Sequence, residues 1–484
     1  MKKKSVLSVI YLFFGIVICY LAARWAGVTG NAYPVHWIMA GVLPLAVVWF
    51  LWPRTGQETW DEKVFQALIA AGIILRVGYM LYTGCTTRGH DLRDIDLSSG
   101  GHAAYLLTLI RQGQLPQSNE LQFYQQPFFY LTGSAVSVLV NGILQCKEDF
   151  YLVDAAKIIS CFASCIVLFC VKPLCRFCGI KEWGRVIAVA VISFLPGAYL
   201  AGGRVNCDSL VYGFMTVLFL QTLRFEEKPD WKNTILLAVT YGLALMTKIS
   251  CGLMALFTAA VFLKELIRRV RQGKWLSLGV KYLVFALISF PLGLWYSVRN
   301  YIRFGQPLTY VLALTPEHKL YRGNVSFVQR FLIPDIGDLL KTPYADPWTN
   351  YNFPVYFLKT ALFGEFTYQA PVVLPVLLLL CGLSLSVFVV MAVYDGIRTK
   401  KMRDGWKYPV VLFLLFLSAA ISFYLKEPYG CSMDYRYSLF LTVPSGLLLG
   451  KYYMETGNEK KKRWIGFLTA GFVCCSVVFC LWIR

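Results

Sequence analysis

From end to end the chain alternates long apolar runs with short polar connections. The runs fall near residues 5–24, 35–52, 65–83, 128–146, 155–174, 187–204, 208–224, 232–248, 250–263, 278–297, 371–394, 409–425, 436–450 and 464–483. A membrane-crossing helix needs about 20 predominantly apolar residues, so the pattern predicts an all-α polytopic membrane protein. Composition points the same way: 57% of the 484 residues are hydrophobic and 15% charged, against about 25% charged in a soluble domain. Met1-Lys-Lys-Lys4 before an apolar run resembles a signal peptide, but no small-residue cleavage site follows. The first run is therefore expected to be retained as a helix.

Charge sets the expected sidedness. The formal net charge is +20, which in a soluble protein would suggest nucleic acid. In a membrane protein, cytoplasmic loops accumulate Lys and Arg, so no nucleic-acid partner is expected. With Met1 inside and run 128–146 crossing the membrane, three basic clusters (264–271, 398–403 and 460–463) would all lie outside. With 128–146 as a re-entrant or surface-lying helix, all three return to the cytoplasm. That choice gives about 13 transmembrane helices plus juxtamembrane external helices. It gathers residues 88–127, 204–208, Lys248, 299–351, 359–365 and 426–436 on the external face. The segments expected are two N-terminal helices over 1–64, a membrane body over 65–450 with external loops 84–127 and 299–353, and a last loop and helix over 451–484. The loop at 299–353 reads as irregular, with one short helix at most. The 15 cysteines lie mostly in apolar runs, as buried thiols do, and Cys175-Arg-Phe-Cys178 has no second pair to complete a zinc site.

Against this background the segment Arg88-Gly-His-Asp-Leu-Arg-Asp-Ile-Asp96 stands out. Charge near a bilayer centre costs roughly 2.5–3.5 kcal/mol per side chain on insertion scales, so clustered charge between apolar runs suggests a site. Asp91, Asp94 and Asp96 fit a general base with supporting carboxylates, and partial desolvation at the membrane surface would suit a carboxylate to that work. Asp94-Ile-Asp96 could also hold a divalent cation through hard oxygen ligands; a solvated acidic loop is the plain alternative. Residues 101–116 read as a short amphipathic helix lying on the membrane, and Gln122-Phe-Tyr-Gln-Gln-Pro127 turns the chain into the next run. Asn206 and Asp208 could cap a helix or face a substrate. Lys248, Arg299 and Arg303 could snorkel or meet a phosphate, for which the arginine fork is well shaped. Asp434 and Arg436 fit either an ion pair or a substrate clamp. His90 and His102 share the acidic loop.

These residues together resemble a family. His90-Asp91, Gly101-His102-x-x-Tyr105, Leu115-Pro116 and Gln122-Phe-Tyr124…Pro127 look like the first external loop of bacterial glycosyltransferases of the protein O-mannosyltransferase and aminoarabinose-transferase kind, in the membrane-embedded class GT-C. Segments 242–248, 295–305, 358–365 (ending in Glu365) and 431–437 are similar as well. The resemblance implies a GT-C-like fold, a polyprenyl-phosphate sugar donor and transfer on the outer face of a bacterial plasma membrane. The acceptor could be a protein, a lipid or a cell-wall glycan. It carries an aspartate base most directly onto Asp91. It leaves Lys248, Arg299 and Arg303 for the donor phosphate, and His90, His102, Tyr124, Asn206, Asp208, Glu365, Asp434 and Arg436 for substrate. No cofactor is implied beyond the cation that Asp94 and Asp96 could hold. The paired prolines of the family stand here as Gln126-Pro127.

The function expected is an inverting transfer of sugar from the lipid phosphate to an acceptor hydroxyl. The rival is a lipid or sugar transporter or flippase, which would place ionisable groups mid-span; only Arg76 and Lys281 do so here. A non-catalytic scaffold would need no clustered carboxylates. The sidedness has a direct check. Ser118→Cys should react with an impermeant thiol reagent on intact cells, and reaction only after permeabilisation would overturn the assignment.

Overall fold

The computed structural model describes residues 3–52, 58–273, 275–308, 310–312, 314–334, 336–398 and 405–483; most of the basic cluster at 398–403 lies outside them. Among the described residues twenty α-helices follow one another. They are α1 (Lys3–Trp25), α2 (Ala32–Leu51), α3 (Trp60–Tyr82), α4 (His102–Leu107), α5 (Phe128–Ile143), α6 (Asp149–Asp154), α7 (Lys157–Phe177), α8 (Glu182–Phe194), α9 (Pro196–Gly202) and α10 (Asp208–Glu227), then α11 (Trp231–Leu245), α12 (Leu253–Arg271), α13 (Trp275–Phe304), α14 (Phe327–Phe331), α15 (Ile336–Lys341), α16 (Phe353–Phe363), α17 (Val373–Arg398), α18 (Lys407–Lys426), α19 (Thr442–Glu455) and α20 (Glu459–Trp482). Among the described residues the one strand-like feature is an isolated antiparallel bridge between Tyr321 and Tyr429. The chain is an all-α, integral multi-pass membrane protein.

The expected count of 13 spans is not reproduced. Among the described residues nine helices are long and apolar enough to cross a membrane, or ten if the bent pair α8–α9 counts as one. The shortfall has simple causes. Helices α11 and α19 have 15 and 14 residues, and α10 begins with Asp208 and ends in Arg224, Glu226 and Glu227. Helix α5, the run expected not to cross, has 16 residues. At 1.5 Å per residue it rises about 24 Å, short of the ~30 Å hydrocarbon core.

The chain divides into two compact units, Met1–Thr29, Thr83–Cys170 and Gly203–Leu312 in the first, Gly30–Tyr82, Val171–Gly202 and Ala313–Arg484 in the second. The N-terminal helices expected as one added segment are thus divided: α1 falls in the first unit, α2 in the second.

In the first unit a buried ion pair fixes where the long polar loop begins. Asp154 and Lys157 have fully buried side chains 2.6 Å apart. Asp154 also accepts from the Cys85 backbone N–H at 2.8 Å and from the Tyr20 hydroxyl at 2.7 Å, and Lys157 donates to the Thr83 carbonyl. Buried charge is tolerated when paired and fully hydrogen-bonded, and each partner here holds a piece of the loop. Lys281 donates to the Pro229 carbonyl at 2.7 Å.

In the second unit Arg76 performs a similar service. Helix α8 bends by 49° into α9 at Pro196. Proline has no N–H to donate to the carbonyl four residues earlier, which is that of Ile192. Fully buried Arg76 donates to the Ile192 and Ser193 carbonyls at 3.3 and 2.8 Å, and to Gly72 in its own helix. Arg76 and Lys281, the two ionisable residues that favoured a transporter, both therefore have structural work. Past the bend, Gly197 lets α9 close on α16, since an added Cβ would lie 2.6 Å from the Ala361 carbonyl oxygen. An aromatic cluster of Phe353, Tyr356 and Tyr424 with Ala345 and Met433 packs against α16. The stretch at 313–352 carries two short helices, α14 and α15, where one at most was expected.

Asp154→Ala should lower stability by about 3–5 kcal/mol, because it strands the Lys157 charge. Removing both charges in Asp154→Ala/Lys157→Met should cost less than the single change, as read from thermal unfolding in detergent.

Candidate functional site

The site is built from the loop at 83–127 in the first unit. Arg88, Asp91 and Arg93 all adopt left-handed backbone, with φ of 55°, 55° and 57°. Outside glycine such conformations cost about 1–3 kcal/mol each and persist where surrounding structure enforces them; aspartate tolerates them better than most residues. The enforcement comes from α4. A helix leaves its first N–H groups without intrahelical partners. Here His102 N–H donates to the Asp91 carbonyl at 3.0 Å and Ala103 N–H to that of Leu92 at 3.3 Å. Gly101 makes the approach possible, because an added Cβ would fall onto the Leu92 carbonyl oxygen. Gly100, at φ 68°, accepts from Gln122 N–H at 3.0 Å and so joins the two limbs of the loop.

Helix α4 does not lie on a surface as expected: all six of its residues are buried. His102, expected to touch substrate, is a core residue whose Nδ1 lies 2.6 Å from the Tyr130 hydroxyl. The Tyr130 ring stacks on Tyr105 with centroids 3.7 Å apart. Tyr130 donates in turn to Gln125 Oε1 at 3.3 Å, which also accepts from Cys207 Sγ at 3.2 Å. The turn at Gln126-Pro127 is held by Gln126 donating to Ser297 Oγ at 2.7 Å and by Phe128 N–H donating to the Met246 carbonyl at 3.0 Å.

The expected phosphate-binding arginines have other partners. Arg299 donates to the Pro116 carbonyl at 2.6 Å and to Asn300 Oδ1 at 2.9 Å, and Arg303 donates to Gln117 Oε1 at 2.9 Å. With Tyr296, which donates to the Phe123 carbonyl at 2.9 Å, they make the C-terminal end of α13 a clamp on the returning limb of the loop.

Lys248 and Asp208 do come together. Their ion pair is 2.7 Å long, with the lysine side chain 28% exposed and the aspartate 7%. Asn206 Nδ2 donates to the other Asp208 oxygen at 2.9 Å, and Asn206 Oδ1 accepts from Asp208 N–H at 2.6 Å. Asn206 thus braces Asp208 through both its carboxylate and its N–H, while the cap position of α10 is held by Cys207, which makes no side-chain cap bond. Burial pushes the Tyr124 phenol above the ordinary range, Lys248 pulls it back, and Cys207, Asp91 and Tyr310 push it further. Asp91 and Lys248 thus act on one side chain from different loops. Asp91 is exposed and His90 half-buried, so the expected desolvation of Asp91 is not found. What marks it is its enforced backbone.

Asp94 is exposed. Asp96 accepts from Ser98 N–H at 2.7 Å and Ser98 Oγ at 2.6 Å, both on Oδ1, and these bonds hold its carboxyl below the usual range. Among the described residues no third ligating side chain converges with Asp94 and Asp96. The pair is a poor fit for a divalent cation.

In the second unit Glu365 accepts from the Tyr356 hydroxyl at 2.7 Å. Asp434 and Arg436 form a 3.1 Å ion pair with side chains 1% and 9% exposed, and Arg436 donates to the Tyr437 hydroxyl at 2.8 Å. Of the two readings open for Asp434 and Arg436, the ion pair is present. Lys359, fully buried, reaches Asn350 Oδ1 at 3.3 Å. Arg322 donates to the Asn350 carbonyl at 3.1 Å and to that of Trp348.

Sequence reasoning missed Asp154, Lys157 and the Tyr130–Gln125 network. Asp154-Ala-Ala-Lys157 carried a usable signal, since opposite charges three residues apart at the head of an apolar run mark a buried pair. Tyr130 carried none.

Residues 153–295 match the family described as dolichyl-phosphate-mannose-protein mannosyltransferase. Two crystal structures of ArnT from Cupriavidus metallidurans are matched. The one bound to undecaprenyl phosphate is 15% identical, with 81% of this chain and 80% of that chain covered at a TM-score of 0.33. The apo form is 14% identical, with 85% and 76% covered at a TM-score of 0.35. No curated protein matches the sequence. The family match, over less than a third of the chain, names the same family as the resemblance read from the loop motifs.

Gly101→Ala should cost roughly 1–3 kcal/mol through forced displacement of the Leu92 peptide. Gly142→Ala, in open space within α5, should be neutral or stabilising; thermal unfolding of the two variants side by side checks this.

Proposed function

We propose that the chain transfers a sugar from a polyprenyl-phosphate donor to an acceptor hydroxyl, with inversion at the anomeric carbon, at the external face of a bacterial plasma membrane. The acceptor is a hydroxyl of a protein, a lipid or a cell-wall glycan. One observation carries the reading. An exposed carboxylate, Asp91, stands on a backbone pinned by α4, in the same compact unit as the part-exposed Lys248 that Asp208 orients.

In the proposed step the acceptor oxygen bonds to the anomeric carbon while the bond from that carbon to the phosphate oxygen breaks. The electron pair leaves on the phosphate, and the acceptor proton passes to the Asp91 carboxylate. A lipid phosphate departs as a stable anion, so the second, acidic carboxyl of a glycoside hydrolase is not needed. Lys248, part-exposed and oriented by Asp208, supplies positive charge for the departing phosphate, and fixed charge of this kind is often the largest single contribution to catalysis. His90 and Tyr124 flank the acceptor side. Arg299 and Arg303 shape the loop rather than hold the phosphate.

Asp91→Asn preserves the shape and the left-handed backbone while removing the base. In membranes supplied with a labelled polyprenyl-phosphate sugar, transfer should fall about 10²–10⁴-fold. Undiminished transfer by a normally expressed variant would remove Asp91 as the base. A wild-type chain that neither transfers nor hydrolyses any such donor would overturn the donor class.

A further inference from the structure

We propose that the N-terminal helix α1 positions the loop carrying Asp91, acting through the Tyr20 hydroxyl and the buried Asp154–Lys157 pair. The proposal rests on the catalytic reading of Asp91 above. Tyr20 and Asp154 are positioning residues in it.

Helix α1 buries one narrow stripe, made of Ile16, Val17, Tyr20 and Ala23, while Tyr11, Phe14 and Ile18 on its other faces are exposed. That spacing is one face of a helix. Along it Phe13 meets Phe162 edge-on at 5.2 Å, and the Arg24 guanidinium lies 3.2 Å above the centre of the Tyr151 ring. Between these grips sits a fully buried phenol whose hydroxyl donates to Asp154 Oδ2 at 2.7 Å. A span that served only to fill lipid would need no hydroxyl there. Phenylalanine would bury the same ring without the cost of desolvating a polar group.

The Tyr20 bond divides the work of one carboxylate. With Oδ2 taken by Tyr20, Oδ1 faces the Cys85 N–H at 2.8 Å and Lys157 at 2.6 Å, and Lys157 reaches the Thr83 carbonyl. The first residues of the loop are therefore fastened to a carboxylate whose rotation Tyr20 prevents. A turn closed by Thr87 N–H on the Gly84 carbonyl at 2.9 Å follows, and the left-handed residues Arg88 and Asp91 come next. Helix α4 pins Asp91 from the far side. Without the near anchor, the enforced backbone at Asp91 is held at one end only.

The test uses Tyr20→Phe in the full-length chain, with two readouts. The first is the rate at which Cys85 reacts with a maleimide, read by mass spectrometry of its peptide. Burial and the neighbouring Asp154 push this thiol up to about 12, so it stays protonated and shielded until the anchor opens. Labelling at Cys85 should rise several-fold while labelling at Cys178, buried in the second unit, does not change. The second readout is transfer kinetics. Displacing a catalytic group by about 1 Å can cost up to ~100-fold. Tyr20→Phe should lower kcat about 10- to 100-fold with the donor KM unchanged, and should lower it no further in an Asp91→Asn background.

Unchanged Cys85 labelling overturns the anchoring, whatever becomes of the catalytic reading. Faster labelling with kcat losses that multiply with those of Asp91→Asn overturns action through Asp91. Faster labelling in a chain whose wild type shows no transfer leaves the anchoring standing and overturns the catalytic reading instead. If Tyr20→Phe fails to accumulate, Arg24→Met loosens the same helix over Tyr151 while leaving Asp154 paired, and the same two measurements apply.

Discussion

A charge carried into an apolar body must be answered by other groups of the same chain, because neither lipid nor packed side chains can solvate it. The Asp154–Lys157 pair is where this constraint shapes most of the first unit. Its three outside partners, the Tyr20 hydroxyl, the Cys85 N–H and the Thr83 carbonyl, reach α1 and the first residues of the polar loop. Arg76 obeys the same rule in the second unit, where it answers the carbonyl that Pro196 leaves without a donor. In both places a residue that looks costly in the sequence is the means by which irregular backbone exists inside a helical body.

The same rule redistributes the cations of the site. Arg299 and Arg303 resembled phosphate ligands because arginine suits phosphate and both lie at the end of a span. Their donors meet the Pro116 carbonyl and the Gln117 side chain instead. A loop with few backbone hydrogen bonds of its own needs external donors, and these arginines provide them. Lys248 differs: it pairs with Asp208 at 2.7 Å and its side chain stays part-exposed.

Much of the architecture was legible in the sequence because it depends on composition over long windows. The apolar runs marked the helices, and the basic clusters argued that 128–146 does not cross, which its 16 residues support. Helices α10, α11 and α19 were less legible because their boundaries depend on a few polar residues that a broad window averages away. In the site, Asp91, Asp208 and Lys248 were each picked out from residue type, but that Lys248 pairs with Asp208 was not read from the sequence. His102 was misjudged, since nothing in Gly101-His102 distinguishes a histidine facing a cleft from one bonded to a tyrosine 28 positions away. The left-handed backbone at Asp91 was likewise invisible, for it arises from N–H groups offered by α4.

That backbone narrows what position 91 can be. Glutamate would keep the acid but favours a left-handed residue less than aspartate does. Asparagine would keep the conformation and lose the acid. Glycine would relieve the conformation and lose both the acid and the definition of the turn. The residue that conserves the chemistry and the residue that conserves the fold are therefore different at every exchange. On the proposed reading of Asp91 as the base, drift at this position has no neutral first step, and only aspartate meets both demands at once.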